Sequence, residues 1–374
     1  MPSQSPPPGT MRRHLLHVFP SFAVGGSQTR FAQLVRLHGA RYRHTVIALD
    51  GDLAMAGRLP ADAPVTLVRE RFRTKSPLKG ISTAYRMLRR VRPDLLVTYN
   101  WGSLDWCIAR RFMPALAHVH MEDGFGPEEK AHQLGRRRLL RRLTLGDPGT
   151  IVVVPSHTLK KIALQSWRLP PRGVRYIANG IEFGRFAAQA GPAGNRGPVV
   201  VGTVASLRPE KNLTRLIGLF CEAARQLPAG SISLQIVGGG PELPALRAAA
   251  AESGFADRIT LAGPTTRPEE FLKGMDIFAL TSDTEQMPLS VIEAMAAGLP
   301  ILSFNVGDVP AMVAPENVEA ACLPRHDDAS YVRQLLALAG DAERRRRIGQ
   351  ANAAKAAASF DEAAMAAHYA ELFG

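Results

Sequence analysis

Two carboxylates stand eight positions apart, Glu285 and Glu293, in the stretch TSDTEQMPLSVIEAMAAGLPIL at 281–302. The apolar run IFALT at 277–281 reads as a buried strand. LSVIEAMAA reads as a helix, which Gly298-Leu299-Pro300 stops. Glu285 then lies on the loop leaving a strand, and Glu293 about two turns into the following helix. The start of that helix, at Pro288, Leu289 and Ser290, offers unpaired backbone N–H groups to an anion. Pro288 suits a first helical turn, where its missing N–H is not needed. Backbone donors for a phosphate and two acids for hydroxyls are what a sugar–nucleotide diphosphate requires.

Other loops carry matching chemistry. VASLRPEKNL at 204–213 sets two cations, Arg208 and Lys211, on one short loop after a strand. Fixed cations there would stabilise the charge that builds on a departing phosphate. IVGGGPELPALR at 236–247, with Gly239, allows close backbone approach, as does the turn VGGSQTRFAQL at 24–34, with Gly25 and Gly26. Ser27 is placed to cap the helix after that turn. AHVHMEDGFGPEE at 117–129 offers His120, Glu122 and Asp123 for hydroxyl recognition or proton handling. TYNWGSLDW at 98–106 ends a strand with Asn100 and Trp101, the aromatic face suiting a sugar. Asp50-Gly51-Asp52 is formally a DxD, and reads as turn chemistry.

The elements that must position these residues alternate between short apolar strands and helical patterns, which predicts parallel βαβ units. HLLHVF, HTVIAL, VTLVR, DLLVTYN, ALAHVH and TIVVVPS are strands of a first series, and VVVGTVASL, SLQIVGGG, ITLAG and IFALTS of a second. The expected division is a disordered tail at 1–11 and an N-terminal domain at 12–188, joined by a linker at 189–198 to a C-terminal domain at 199–352. A final helix at 353–374 completes the chain.

With Glu285 and Glu293 followed by small residues and then GLPI, and with the Arg208/Lys211 loop and glycine turns in order, the chain resembles the retaining glycosyltransferases of family 4. The resemblance implies an α/β protein of GT-B architecture: two Rossmann-like domains with parallel sheets facing across a cleft. It implies transfer of a sugar from a nucleotide-diphosphate sugar to a glycan or lipid-linked acceptor, in bacterial cell-surface polysaccharide or glycolipid synthesis. No metal or other cofactor is implied. In this family the helix corresponding to 353–374 commonly crosses back to the N-terminal domain.

On the same resemblance the donor would be held by Gly25, Gly26, Arg208, Lys211, Gly239, Thr265, Met287, Leu289, Ser290 and Glu293. Glu285 would orient the sugar and Glu293 the ribose. The family often has a histidine directly before a glycine beside the sugar. Here Asp123 precedes Gly124, and His120 lies four positions before it, so Asp123 and His120 join Glu285 as catalytic candidates. Asn100, Trp101 and Glu122 fall on the acceptor side. Asn179 and Gly180, in IANGIEFGRF, match a turn that is structural in the family.

Bulk properties agree with a two-domain globular protein of 374 residues, 46% hydrophobic and 21% charged. Cys107, Cys221 and Cys322 are far apart and form no metal or redox motif, which favours a reducing cytosol. The formal charge is +13, concentrated in RERFRTK at 69–75, RRRLLRR at 136–142 and RRRR at 344–347. Such an excess points to an anionic partner, and the leucines within RRRLLRR suit a helix lying on an anionic membrane. The expected location is the cytoplasm, peripheral on the inner face of the plasma membrane. Two rival readings are another GT-B enzyme, an epimerase or phosphorylase, and a basic nucleic-acid-binding protein. No segment singles out a cofactor lysine for a phosphorylase, and no helix-turn-helix, RRM or zinc motif supports the last.

Overall fold

A computed structural model of the chain describes residues 12–72, 76–124, 134–187 and 197–374. The chain divides into two compact units: residues up to Asn179 together with Ala363–Gly374, and Gly180–Glu362.

In the first unit, strands β1 (Arg13–Phe19), β2 (Tyr42–Ala48), β3 (Val65–Val68), β4 (Leu95–Tyr99), β5 (Ala117–Met121), β6 (Thr150–Val154) and β7 (Val174–Tyr176) form one parallel sheet, ordered β3-β2-β1-β4-β5-β6-β7. Helices α1 (Gly26–His38), α2 (Pro77–Val91), α3 (Leu104–Arg110), α4 (Gly135–Leu145) and α5 (His157–Gln165) connect them. The strands are nearly continuous apolar runs because helices cover both faces of such a sheet; all of Leu95–Tyr99 is buried. Local signals set the helix starts. The Ser156 hydroxyl accepts from the Leu159 N–H at 3.0 Å, and Ser76, followed by Pro77, caps α2.

The second unit begins with α6 (Phe183–Phe186). Its strands β8 (Val199–Val204), β9 (Ile232–Val237), β10 (Ile259–Gly263), β11 (Ile277–Leu280) and β12 (Ile301–Ser303) form a parallel sheet ordered β10-β9-β8-β11-β12. Its helices are α7 (Leu213–Arg225), α8 (Leu243–Glu252), α9 (Pro268–Leu272), α10 (Leu289–Ala296), α11 (Val309–Met312), α12 (Val318–Ala321), α13 (Asp328–Gly340) and α14 (Ala342–Ser359).

The expected single helix over 353–374 is two helices. α14 is locked into the second unit, where buried Asn352 donates to the Leu299 carbonyl (2.9 Å) and Asn317 Oδ1 (2.6 Å) and accepts from the Ala314 N–H. Gly349 lies so close to the Gly298 carbonyl that a Cβ would stand 1.9 Å from its oxygen. The chain then breaks where the Phe360 carbonyl accepts from the Ile181 N–H, and α15 (Glu362–Phe373) follows. Met365, Ala366, Tyr369 and Phe373 of α15 complete the core of the first unit with Phe19, Phe31 and Tyr42. Among the described residues no helix is long and apolar enough to cross a membrane.

Candidate functional site

In the second unit the chain runs outward from β8 to β10, then returns to the other side of β8 as β11. The loops after β8 and β11 therefore lie side by side at the carboxyl ends of the sheet, the crevice in which open α/β sheets bind ligands. These loops carry Lys211 and Glu285. Lys211 Nζ donates to Glu285 Oε1 at 2.5 Å, and the Ser282 hydroxyl donates to the same oxygen at 2.7 Å.

The loops are tied together by the Asp283 N–H on the Glu210 carbonyl (2.9 Å) and by Asn212 Nδ2 on Asp283 Oδ1 (3.0 Å). Asn212 takes a left-handed conformation, φ 49°, to end the short 3-10 turn Pro209–Lys211. Behind Glu285, the Asp308 N–H donates to the Gln286 carbonyl at 2.9 Å. Gly307, at φ +54°, leaves no room for a Cβ, which would lie 2.5 Å from the Glu285 carbonyl oxygen. Glu285 is thus held from both sides on a loop, its side chain 9% exposed.

Arg208 is exposed, and no side-chain hydrogen bond or ion pair engages it among the described residues. Lys211 retains two donor positions beyond its bond to Glu285. Gly239 accepts the Leu207 N–H at 3.0 Å, which joins the β9 loop to the Arg208 loop. Its neighbour Gly238 (φ +148°) is where glycine is obligatory, since a Cβ would fall 1.8 Å from the Ala205 carbonyl oxygen. Thr265 is half-buried, and its hydroxyl accepts from the Arg267 N–H at 2.9 Å. Leu289 and Ser290 form the partly exposed first turn of α10, after Pro288 at the N-cap. Met287 is buried, which leaves its backbone rather than its side chain for a ligand.

Glu293, on α10, is half-buried and has no hydrogen-bond partner among the described residues. Burial pushes its carboxyl up to about 7, with Arg185 opposing the rise and Glu269 adding to it. Arg185 itself donates to Glu269 Oε2 at 2.7 Å. A carboxyl in this state lacks a donor, and a ribose hydroxyl would supply one.

The first unit arranges its candidates differently. Asp123 follows β5, and both its oxygens are taken by Arg30 of α1: Nη1 to Oδ1 at 2.7 Å and Nη2 to Oδ2 at 2.8 Å. Arg30 is buried, donates also to Asn179 Oδ1 at 2.9 Å, and lies 5.9 Å from the Tyr369 ring of α15. Both oxygens of Asp123 are thus held by one guanidinium, which leaves the carboxylate few free positions for a ligand.

His120 and Glu122 are fully buried, unlike the partly accessible Lys211 and Glu285. His120 Nε2 lies 3.5 Å from Glu122 Oε2, and Arg141 Nε reaches the same oxygen at 3.4 Å. Burial lowers the His120 pKa, but Cys107 and Glu122 outweigh it and leave the imidazole raised to about 9.

Asn100, in a strained conformation at φ 54°, uses Oδ1 to accept the Asp123 N–H at 2.7 Å and so braces the turn that carries Asp123. Trp101 has the guanidinium groups of Arg137 and Arg141 each 4.9 Å from its ring centre, which occupies the aromatic face expected to meet a sugar. Gly25, extended at φ −168°, is itself the N-cap of α1, and Gly26 begins the helix with open space beside it. Ser27 lies inside the helix and donates to Gln28 Oε1, so the expected serine cap is absent.

Arg30 is the residue that sequence reasoning passed over. Its signal was an arginine on the buried stripe of α1, in line with Ser27, Phe31 and Leu34. Such a position needs a buried partner.

Cys107, His118 and His120, distant from any metal motif in sequence, bring their potential ligand atoms within 4.8 Å of one another. The Thr98 hydroxyl sits between them, its oxygen 2.8 Å from His118 Nε2 and from His120 Nδ1. The imidazole nitrogens facing each other are therefore hydrogen-bonded within the protein. Asp50 and Asp52 use their carboxylates to accept the N–H groups of Asp52 and Ala54, both at 2.9 Å, as a turn requires.

Comparison with known proteins covers both units. Residues 24–185 match the family model described as Glycosyltransferase Family 4, and residues 188–355 match Glycosyl transferases group 1. The chain is 25% identical over 290 residues to the D-inositol 3-phosphate glycosyltransferase of Nocardia farcinica, a match over 71% of this chain and 62% of that protein. It is also 25% identical over 324 residues to the protein of the same name from Thermobispora bispora, over 79% of this chain and 74% of that one. Among solved structures, Anabaena HepE in complex with UDP-glucose superposes with a TM-score of 0.79 at 17% identity, covering 96% of this chain and 98% of HepE. Sucrose-phosphate synthase from Thermosynechococcus elongatus gives 0.77 at 19% identity, covering 96% and 98%.

Proposed function

This chain belongs to the glycosyltransferases of the family 4 type with the GT-B fold, and on that premise we propose that it transfers a sugar from a nucleotide-diphosphate donor with retention of configuration. The observation that carries this reading is the Lys211–Glu285 pair at the crevice between β8 and β11, beside the start of α10. When a donor enters, its diphosphate takes the free donors of Lys211, the exposed Arg208 and the first-turn N–H groups of Leu289 and Ser290. Glu285 accepts from the sugar hydroxyls and Glu293 from the ribose. Gly239, Thr265 and Met287 offer backbone to the nucleotide. Negative charge on the departing phosphate is stabilised by Arg208 and Lys211. The phosphate then helps to remove the acceptor's proton as the acceptor attacks from the same face. HepE has been solved with UDP and with UDP-glucose, which supports a nucleotide-sugar donor here.

The first test is thermal unfolding with UDP, GDP, ADP and their sugars, because a ligand that binds only the folded state raises Tm. A nucleotide that produces a shift in the wild type and none in Lys211→Ala supports the assignment; no shift with any of them removes it. Product anomers read by NMR decide retention. Activity that survives EDTA is expected, since cations from the protein take the place of a metal.

The acceptor is proposed to be a glycan or lipid-linked molecule, met at an anionic membrane on the cytoplasmic side. In α4, Arg136, Arg138 and Arg142 are exposed, and so are Leu139 (55%), Leu140 and Leu143 (54%). Arg141 is turned inward between Trp101 and Trp167, Arg137 faces Trp101 and Arg138 donates to the Ser166 carbonyl, so Arg136 and Arg142 are the arginines least engaged within the protein. At about 1 kcal/mol each they hold the protein weakly, and the leucines add apolar insertion. Part of the second basic cluster, 73–75, lies outside the described residues. In the third, Arg344 and Arg345 bond to side chains and carbonyls of the same unit. Co-sedimentation with phosphatidylglycerol vesicles should fall for Arg136 and Arg142 changed together to Gln. Equal binding by both proteins leaves α4 as solvated surface.

A further inference from the structure

β5 carries two histidines, His118 and His120, in an otherwise apolar strand. Residues two apart on a strand point to one face of the sheet. Cys107 of α3 meets them on that face, and all three side chains are buried. On the neighbouring strand β4, Thr98 stands in register with His120. The potential ligand atoms of Cys107, His118 and His120 all lie within 4.8 Å of one another, and Cys107 Sγ is 3.6 Å from His120 Nδ1. Zinc held at about 2.3 Å by a thiolate and about 2.0 Å by an imidazole sets sulfur and nitrogen about 3.5 Å apart in a tetrahedron. Thr98 Oγ1 is 2.8 Å from both facing nitrogens and 3.4 Å from the sulfur, the place of a fourth, neutral oxygen ligand. It must move about 0.5 Å away from the nitrogens to leave room for the ion.

The outer nitrogens are provided for as well. His120 Nε2 faces Glu122 Oε2 at 3.5 Å, and His118 Nδ1 lies 2.9 Å from the Thr150 hydroxyl oxygen. Glu122 is in turn met by Arg141 Nε at 3.4 Å. Metal-bound histidines almost always direct their other N–H to such an acceptor, which holds the proton there and turns the second lone pair to the metal. With both protons outside, two lone pairs face Thr98, whose hydroxyl has one proton to give. The other lone pair is left with the weak S–H donor of Cys107. A cation bound by the thiolate answers both lone pairs at once.

We propose that Cys107, His118 and His120, closed by the Thr98 hydroxyl, bind a structural zinc ion in the core of the first unit. The thiol proton leaves on binding, and both imidazoles ligate in the neutral form. His120 therefore takes up a proton only in protein prepared without zinc. The ion ties α3 to β4 and β5 just before Asn100 and Asp123 and so stiffens the turn that these two residues form. It is separate from the donor site, since Arg208, Lys211 and Glu285 belong to the second unit. Transfer activity that survives EDTA is compatible with it.

The test is metal analysis of the full chain purified from cells grown with added Zn2+ and, separately, with added Co2+, a probe whose thiolate complexes absorb by sulfur-to-metal charge transfer. The wild type should hold about one zinc per chain, and its cobalt form should show the charge-transfer band. Cys107→Ser and His118→Gln should each retain about a tenth of the zinc or less, and Cys107→Ser should lose the band. The double variant Cys221→Ser/Cys322→Ser leaves Cys107 as the one cysteine of the chain and should keep both zinc and band. That variant assigns the thiolate even where a change at Cys107 prevents folding. A wild type without zinc or without the band, a band lost from the double variant, or zinc undiminished in Cys107→Ser overturns the proposal.

Discussion

Glu285 and Asp123 both leave the carboxyl end of a parallel strand, and both meet a cation. In the second unit Glu285 bonds through one oxygen to a lysine that keeps donors to spare, on loops that leave the lysine side chain 20% exposed. In the first unit Asp123 gives both oxygens to an arginine that is 3% exposed and held by Asn179 as well. The first arrangement can exchange partners when a ligand arrives. The second is a strut: it fixes α1 to the end of β5 and offers a ligand little. A carboxylate–cation pair near a strand end thus says nothing about function until the number of bonds and the burial of the cation are known.

The widest separation should appear in stability. Arg30→Met leaves the Asp123 charge without its partner and should cost about 3–5 kcal/mol in urea unfolding. Lys211→Met leaves Glu285 with Ser282 still bonded to it and should cost less, about 1–2 kcal/mol. Equal losses would erase the distinction between strut and exchangeable pair.

Activity should invert that order. Glu285→Gln should lower kcat about 100-fold while nucleotide affinity and Tm change little, because a misplaced sugar loses its productive geometry. Near-normal turnover in this variant would remove Glu285 from the mechanism.

Buried titrating groups give each unit its own pH window. The folded pKa of Glu293, about 7, stands above the ordinary 4.5, so the folded state holds the extra proton between these values. Stability should therefore fall as pH rises from about 4.5 to 7, by up to about 3 kcal/mol, and Glu293→Gln should flatten that slope. His120, raised from 6.5 to about 9, contributes stability that is complete below 6.5 and lost as pH rises through 9. His120→Gln should flatten this upper window alone. Tm measured across pH 4–10 for the three proteins resolves the two, and a wild-type Tm flat across the lower window contradicts the assignment for Glu293.

The smallest effect concerns coupling within one loop. Arg208→Ala and Lys211→Ala should each weaken the nucleotide-induced rise in Tm, and the double variant should lose less than their sum by about 0.5–1 kcal/mol, since they share one anion. Strict additivity would mean that only one of them meets the phosphate.

The two units also differ in how far they can be read from sequence. Glu285, Glu293, Arg208 and Lys211 were legible because each lies on a single strand–loop–helix segment whose geometry is local. The parallel βαβ order was legible for the same reason, from runs such as LLVTY and IFAL. Arg30, Asp123 and Asn179 were not, because they are 93 and 149 residues apart along the chain and meet only when α1 packs on the sheet. Likewise His120 and Glu122 look like site residues in MEDGFG, and only the packing of α4, with Arg141 pressed inward, shows them sealed.

The sequence by itself determined the element order, the strand–loop placement of the glutamates and cations, and the family, because backbone periodicity and turn chemistry act within a few residues. Tertiary structure alone decided which of those groups stay open to a ligand. It broke the C-terminal helix at Phe360, spent Asp123 on Arg30, covered Trp101 with two guanidinium groups, and gathered Cys107, His118 and His120 in one core. Burial and pairing are properties of what packs against a residue, and those neighbours come from distant parts of the chain.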